Sequence, residues 1–205
     1  MVRKALRVFR DDDGSNLLHF SCGAKRHRIS KILLDLNIFD VNEQNERGST
    51  ALHLAAESDT DRCIKSLLIH GADVTKTDLK GNTIFHIVCK KNSIKCLTVH
   101  GTIFCRINYF FKVVLESEKV NMFPTLYNAY NKNRKTALHY AAEFTEATCL
   151  QSLLKFKDIN LELVDNKYRT PLHIAANSGS IEAGKTLVTT LTNVSRFTIE
   201  QRGES

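Results

Sequence analysis

Five histidines recur in phase along this chain: His19, His53, His86, His139 and His173. Imidazole is the commonest metal ligand and a frequent general base, so such a row invites two readings, a metal array or a catalytic row. Six cysteines accompany them, at 22, 63, 89, 96, 105 and 149. The spacing argues against both readings. The histidines stand 34, 33, 53 and 34 residues apart, and no Cys-x-x-Cys pair occurs. No serine, cysteine or carboxylate recurs beside them as a nucleophile–base pair. The sequence therefore predicts no catalytic residue, no metal site and no cofactor: a chain that is not an enzyme. Several cysteines fall at core positions, where a free thiol acts as a small apolar residue. Reading all six as reduced predicts a cytoplasmic protein, with the nucleus as the alternative.

The elements around each histidine explain the phase. The five stretches are "GSNLLHFSC", "GSTALHLAA", "GNTIFHIVC", "RKTALHYAA" and "YRTPLHIAA". Thr50, Thr83, Thr136 and Thr170 stand where a hydroxyl caps a helix N-terminus. Pro171 fits the first helical position, where its missing N–H is harmless. The pairs Ala55–Ala56, Ala141–Ala142 and Ala175–Ala176 allow close packing of an inner helix. Leu67–Leu68 and Leu153–Leu154 give a second, outer helix its apolar face. Gly71 supplies the left-handed residue that ends one such helix. Each unit is then a helix pair with a projecting hairpin, and only stacking buries its apolar face.

This pattern resembles the ankyrin repeat family, whose T-P-L-H-x-A signature stands nearly intact in "TPLHIAA" and "TALHLAA". The second half "CIKSLLIHGADVT" (Cys63–Thr75) fits the same family. The resemblance covers about residues 13–193. It implies an all-α ankyrin-repeat solenoid of about five helix-turn-helix units with hairpin loops. It also implies structural roles for Thr50, His53, Thr83, His86, Thr136, His139, Thr170 and His173, each imidazole bridging backbone groups of adjacent units. One histidine per unit places them about 10 Å apart, the spacing of packed helices and far beyond a shared metal. On this reading residues 1–12 form a basic N-terminal arm, 13–193 the repeat domain, and 194–205 a short polar tail. The first unit is expected to be a cap with a polar outer face.

Charge narrows the partner. The formal net charge is +7 and 25% of residues are charged. The densest basic cluster is "AKRHRISK" (Ala24–Lys31), but basic and aromatic residues do not interleave as in a nucleic-acid module. No direct nucleic-acid binding is expected. Arginines at 3, 7 and 10 interrupt any signal-peptide core, and no run of about 18 apolar residues reads as a membrane span. A monomer with a protein partner is expected.

The third unit is interrupted. "DLKGNTIFHIVCKKNSIKCL" begins normally, then "TVHGTIFCRINYFF" (98–111) breaks the helical pattern before "KVVLE" resumes it. Lifting out these 14 residues leaves a 39-residue spacing, still six beyond 33. Three readings of 98–111 stand: a loop insertion, which costs little thermodynamically; extraneous sequence whose removal restores the register; or a lengthened outer helix carrying Phe104, Tyr109, Phe110 and Phe111. The first is favoured. The lengthened joint, with "DLKGNTIFHIVC" before it and "NRKTALH" after it, resembles the IκB and Cactus inhibitors of Rel/NF-κB over about residues 78–139. That resemblance implies a Rel-homology dimer as partner, bound along the stacked units and held from DNA or from the nucleus. It departs in two ways: no D-S-G-x-x-S phosphodegron or acidic tail is seen, and the chain is basic. Short constitutive inhibitors and nuclear cofactors fit these departures equally.

Partner-binding side chains are expected where stacking does not use them. At the hairpin tips these are Asn45, Arg47, Lys80, Asn133, Arg134, Lys167 and Tyr168. Four and five places after each histidine they are Glu57, Lys90, Lys91, Glu143, Phe144 and Asn177. Phe144 and Tyr168 are the expected anchors, because the repeat itself does not require an aromatic there.

Overall fold

A computed structural model describes residues 8–91, 126–156 and 158–202. The insertion at 98–111, with Cys96 and Cys105, lies outside the described residues. The described residues are helical, without strands. In chain order the helices are α1 (Leu17–Gly23), α2 (His27–Asp35), α3 (Ala51–Glu57), α4 (Asp61–Ile69), α5 (Ile84–Lys91), α6 (Ala137–Ala141), α7 (Thr148–Leu153), α8 (Pro171–Ser178) and α9 (Ile181–Arg202).

Inner helices α1, α3, α5, α6 and α8 lie side by side in sequence order, and α2 and α4 pack on the outer layer. Helix α5 packs directly on α6, so the array continues across the long joint. This is the predicted solenoid. Its core is one continuous strip. The residue before each histidine supplies its floor: Leu18, Leu52, Phe85 and Leu138 are fully buried, and Leu172 packs against them. Each such side chain stabilises the fold by about 1.5–3 kcal/mol through burial. Unit three carries Phe85 in place of leucine. Its ring meets Tyr127 and Phe156 edge-on at 6.5 and 6.1 Å, and those two stack at 4.2 Å. The lengthened joint thus returns to the stack through Tyr127.

Capping starts the inner helices as the threonines suggest. Each of Thr50, Thr83, Thr136 and Thr170 brings its hydroxyl to the Nδ1 of the histidine three residues on, at 2.7–2.9 Å. Asn16 does this work in unit one, its Oδ1 accepting from His19 N at 3.0 Å. Gly71 has a φ of +86°, as a left-handed helix stop requires.

Two features differ from expectation. The leading face of unit one is not polar: Phe20, Ile29 and Ile32 are exposed there. The charges of Arg26, Arg28 and Lys31 alternate with these residues in the sequence and mask the apolar stripe of α2. The last helix also runs 22 residues, across position 193, where the sequence reading begins a tail.

Candidate protein-binding surface

The histidine row is the spine from which the surface hangs. In each unit the backbone N–H of the cap residue donates to histidine Nδ1, at 3.1–3.4 Å. An accepting Nδ1 carries no proton, so the proton sits on Nε2. That N–H donates into the next unit: His19 to Ser49 and Glu43 carbonyls at 3.0 Å, His53 to Asn82 at 3.3 Å, His86 to Lys135 at 3.0 Å, and His139 to Arg169 at 2.9 Å. Burial drives the pKa of all four below the usual histidine range, and the carbonyls oppose this only in part. These imidazoles are neutral struts with both nitrogens engaged, which leaves none for a metal or a proton transfer. His173 keeps its cap bond but is exposed, and among the described residues no further unit lies over it.

A second ladder runs eight residues ahead of the first: Asp11, Asn45, Asp78, Asn131 and Asp165. In each, one side-chain oxygen accepts the backbone N–H two and four residues on, at 2.7–3.1 Å. This folds the hairpin. The tips then join unit to unit by one backbone bond each: Glu46 N to Asp13 O, Leu79 N to Arg47 O, and Lys132 N to Lys80 O, all at 2.9 Å, and Asn166 N to Asn133 O at 3.2 Å. At the left-handed tip position five before the histidine, the first three units have Gly14, Gly48 and Gly81. A Cβ on Gly48 would fall 2.7 Å from Leu79 N, so the next tip allows no side chain. Units four and five place Arg134 and Tyr168 there, at φ of +54° and +57°.

These ladders sort the expected binding residues. Asn45 is corrected: it is buried, its amide donating to Ser15 Oγ at 2.9 Å while its oxygen folds the hairpin. The tip position misled, because the asparagine turns inward. Arg47, Lys80, Asn133, Arg134, Lys167 and Tyr168 are exposed along the tip row. Arg47 is tied to Asp13 at 2.6 Å, and Arg134 lies 5.1 Å over the ring of Tyr130. Tyr168 is 86% exposed. Glu57 and Lys91 pair at 3.1 Å between α3 and α5. Asn177 is exposed on α8. Helix α6 ends at Ala141, so Glu143 and Phe144 lie past it in a turn, and Phe144 is half-buried.

One cluster was not foreseen. Tyr140, directly after His139, is nearly buried and receives a bond from Asn131 Nδ2 at 3.0 Å. Lys135 and Lys90 stand over its ring at 4.9 and 6.0 Å, and Lys135 also pairs with Glu143 at 2.7 Å. The signal was present: the residues after the histidines are Phe20, Leu54, Ile87, Tyr140 and Ile174, and only one carries a hydroxyl. The arrangement is a face of held cations and aromatics, shaped for contact rather than reaction.

A family model of three ankyrin repeats matches residues 2–78 and 111–197. The chain belongs to the ankyrin repeat family. That family is a non-catalytic interaction fold, so this ankyrin array is a protein–protein interaction module. It is 31% identical to human inversin over 173 residues, covering 84% of this chain and 14% of inversin. It is 28% identical to the chicken nuclear factor NF-kappa-B p105 subunit over 200 residues, covering 87% of this chain and 20% of p105. It is also 26% identical to the E3 ubiquitin-protein ligase XBAT32 of Arabidopsis thaliana over 184 residues, 89% of this chain and 31% of that protein. The chain thus spans less than a third of the length of each of these relatives. No described helix is long and apolar enough to cross a membrane.

Proposed function

We propose that this ankyrin array binds a Rel-homology dimer and suppresses its activity in the manner of an IκB-like protein. The tip row and the cationic face around Tyr140 would carry the contact. The single observation behind the reading is the joint between units three and four. There the histidine spacing, still 39 residues with the 98–111 insertion set aside, and the "DLKGNTIFHIVC" unit resemble the IκB pattern, and the same joint brings Lys90 and Lys135 to Tyr140 and Arg134 to Tyr130. The similarity to an NF-kappa-B subunit agrees with it. Tyr168 and Arg134 are the proposed anchors. Both are exposed, and both hold a left-handed backbone that glycine would adopt without strain. Phe144, half-buried, is a lesser one. Action in the cytoplasm is part of the proposal, as is a repeat domain that begins near residue 13 and takes in the whole of α9, to Arg202.

A gel-shift titration against a preformed Rel dimer–DNA complex tests it. Release of DNA at sub-micromolar protein supports an inhibitor. A supershifted ternary complex supports a nuclear cofactor instead, and its steep weakening by salt would assign the contact to DNA phosphates. No effect leaves a general ankyrin scaffold for another protein, in keeping with a similarity shared among relatives as different as inversin and XBAT32.

A further inference from the structure

The two ends of the array carry the two halves of one unit-to-unit junction. At the leading end, Phe20, Ile29 and Ile32 are 63%, 47% and 56% exposed. Phe20 has the phase of Leu54, which packs over Gly23 of the unit before it. Ile29 has the phase of Cys63, which is buried against Ser30 of the unit before it at 3.5 Å. In unit one these positions carry larger apolar groups, with no described unit over them.

The polar half of the junction is also split. Every internal junction uses a histidine Nε2–H that donates to the carbonyl four residues before the next histidine. At the trailing end His173 offers this donor with no acceptor among the described residues. At the leading end the matching carbonyl is that of Ser15, which among the described residues accepts Asp11 N alone, at 3.1 Å. Every internal tip bond runs from an N–H seven before a histidine to a carbonyl six before the previous one. The members without a partner among the described residues are Asp12 N–H at the leading end and Lys167 O at the trailing end. Charge agrees as well. Asp13 pairs with Arg47 at the first junction, and the trailing residue of the same phase is Lys167. On the trailing face a Cβ added to Gly184 would meet nothing within 4 Å, and Val188, in the phase of buried Leu34, is half exposed.

We infer that the leading face of one copy docks on the trailing face of a second copy, repeating the internal junction between chains. Such a contact is head-to-tail. Nothing closes it at two, so assembly grows with concentration.

Sedimentation velocity on the full chain tests this, up to about 100 μM, well above the range in which specific interfaces of ordinary size associate. One variant blocks the leading face with Ile29→Lys and Ile32→Lys. A second blocks the trailing face with Gly184→Lys and Val188→Lys. All four positions tolerate length because they face open space, and circular dichroism verifies the fold. Phe20→Lys replaces the first pair if that variant unfolds. The expected result is a wild type whose mass rises with concentration, two variants that are each monomeric, and an equimolar mixture that gives dimers and stops there. A monomeric wild type overturns the inference. So does a trailing-face variant that still dimerises alone, which would mean two leading faces meeting symmetrically.

Discussion

At the residue scale, the histidines decide how the array responds to acid. In the unfolded chain they titrate near 6.5, whereas burial holds His19, His53, His86 and His139 below that value. Below pH 6.5 the unfolded state therefore binds more protons, so stability is full above that pH and falls as pH drops through the window. Each proton of difference is worth about 1.4 kcal/mol per pH unit. Urea unfolding at a series of pH values should show a stability that declines below about 6.5 with a slope of more than one proton. A flat profile down to about pH 5 would mean that the imidazoles are not held neutral. Tyr168 makes the opposite kind of statement. Its left-handed backbone costs about 1 kcal/mol relative to glycine, and Tyr168→Gly should raise the melting temperature. A drop would show that the ring is packed, contrary to its exposure.

At the element scale, the junction between hairpins and the aromatic joint carry the predictions. Gly48 and Gly71 share a positive φ, but only at Gly48 would a Cβ strike a neighbouring unit. Both alanine variants suffer the backbone strain, so their difference reports the junction. Gly48→Ala should destabilise by at least about 1 kcal/mol more than Gly71→Ala in chemical denaturation; equal losses would mean that the tips are not in register. Phe85→Ala should cost about 3–5 kcal/mol, because it opens a cavity beneath Tyr127 and Phe156. A loss near that of a surface residue would deny that the joint is closed by this cluster. The inner helices were legible because each begins with the same local chemistry, a capping hydroxyl and a histidine three residues on. The second ladder was less so. Its Asp and Asn are ordinary turn letters, and only the constant offset of eight from each histidine sets them apart. Asn45 was misplaced for the same reason, since a hairpin residue reads as surface until its side chain is seen to fold the turn.

For the whole molecule, the fold was legible and the surface only in part. A repeat announces itself through residues that do the same work in every unit, so periodicity finds the stack and the struts. Binding residues differ from unit to unit, and periodicity is silent about them. Tyr140 shows this: its ring gathers Lys90 and Lys135 from two units, a meeting that depends on α5 lying against α6. The leading end was misread because the basic cluster Ala24–Lys31 reads as a polar face until Phe20, Ile29 and Ile32 are seen exposed on it. The central claim is that the tips and the face around Tyr140 are the working surface toward a Rel-homology dimer. The most direct measurement compares wild type with Tyr168→Gly in release of DNA from a Rel dimer–DNA complex. The account predicts release by wild type and a loss of at least tenfold in the variant, despite its greater thermal stability. Equal release by both proteins would contradict it, placing the contact elsewhere on the array.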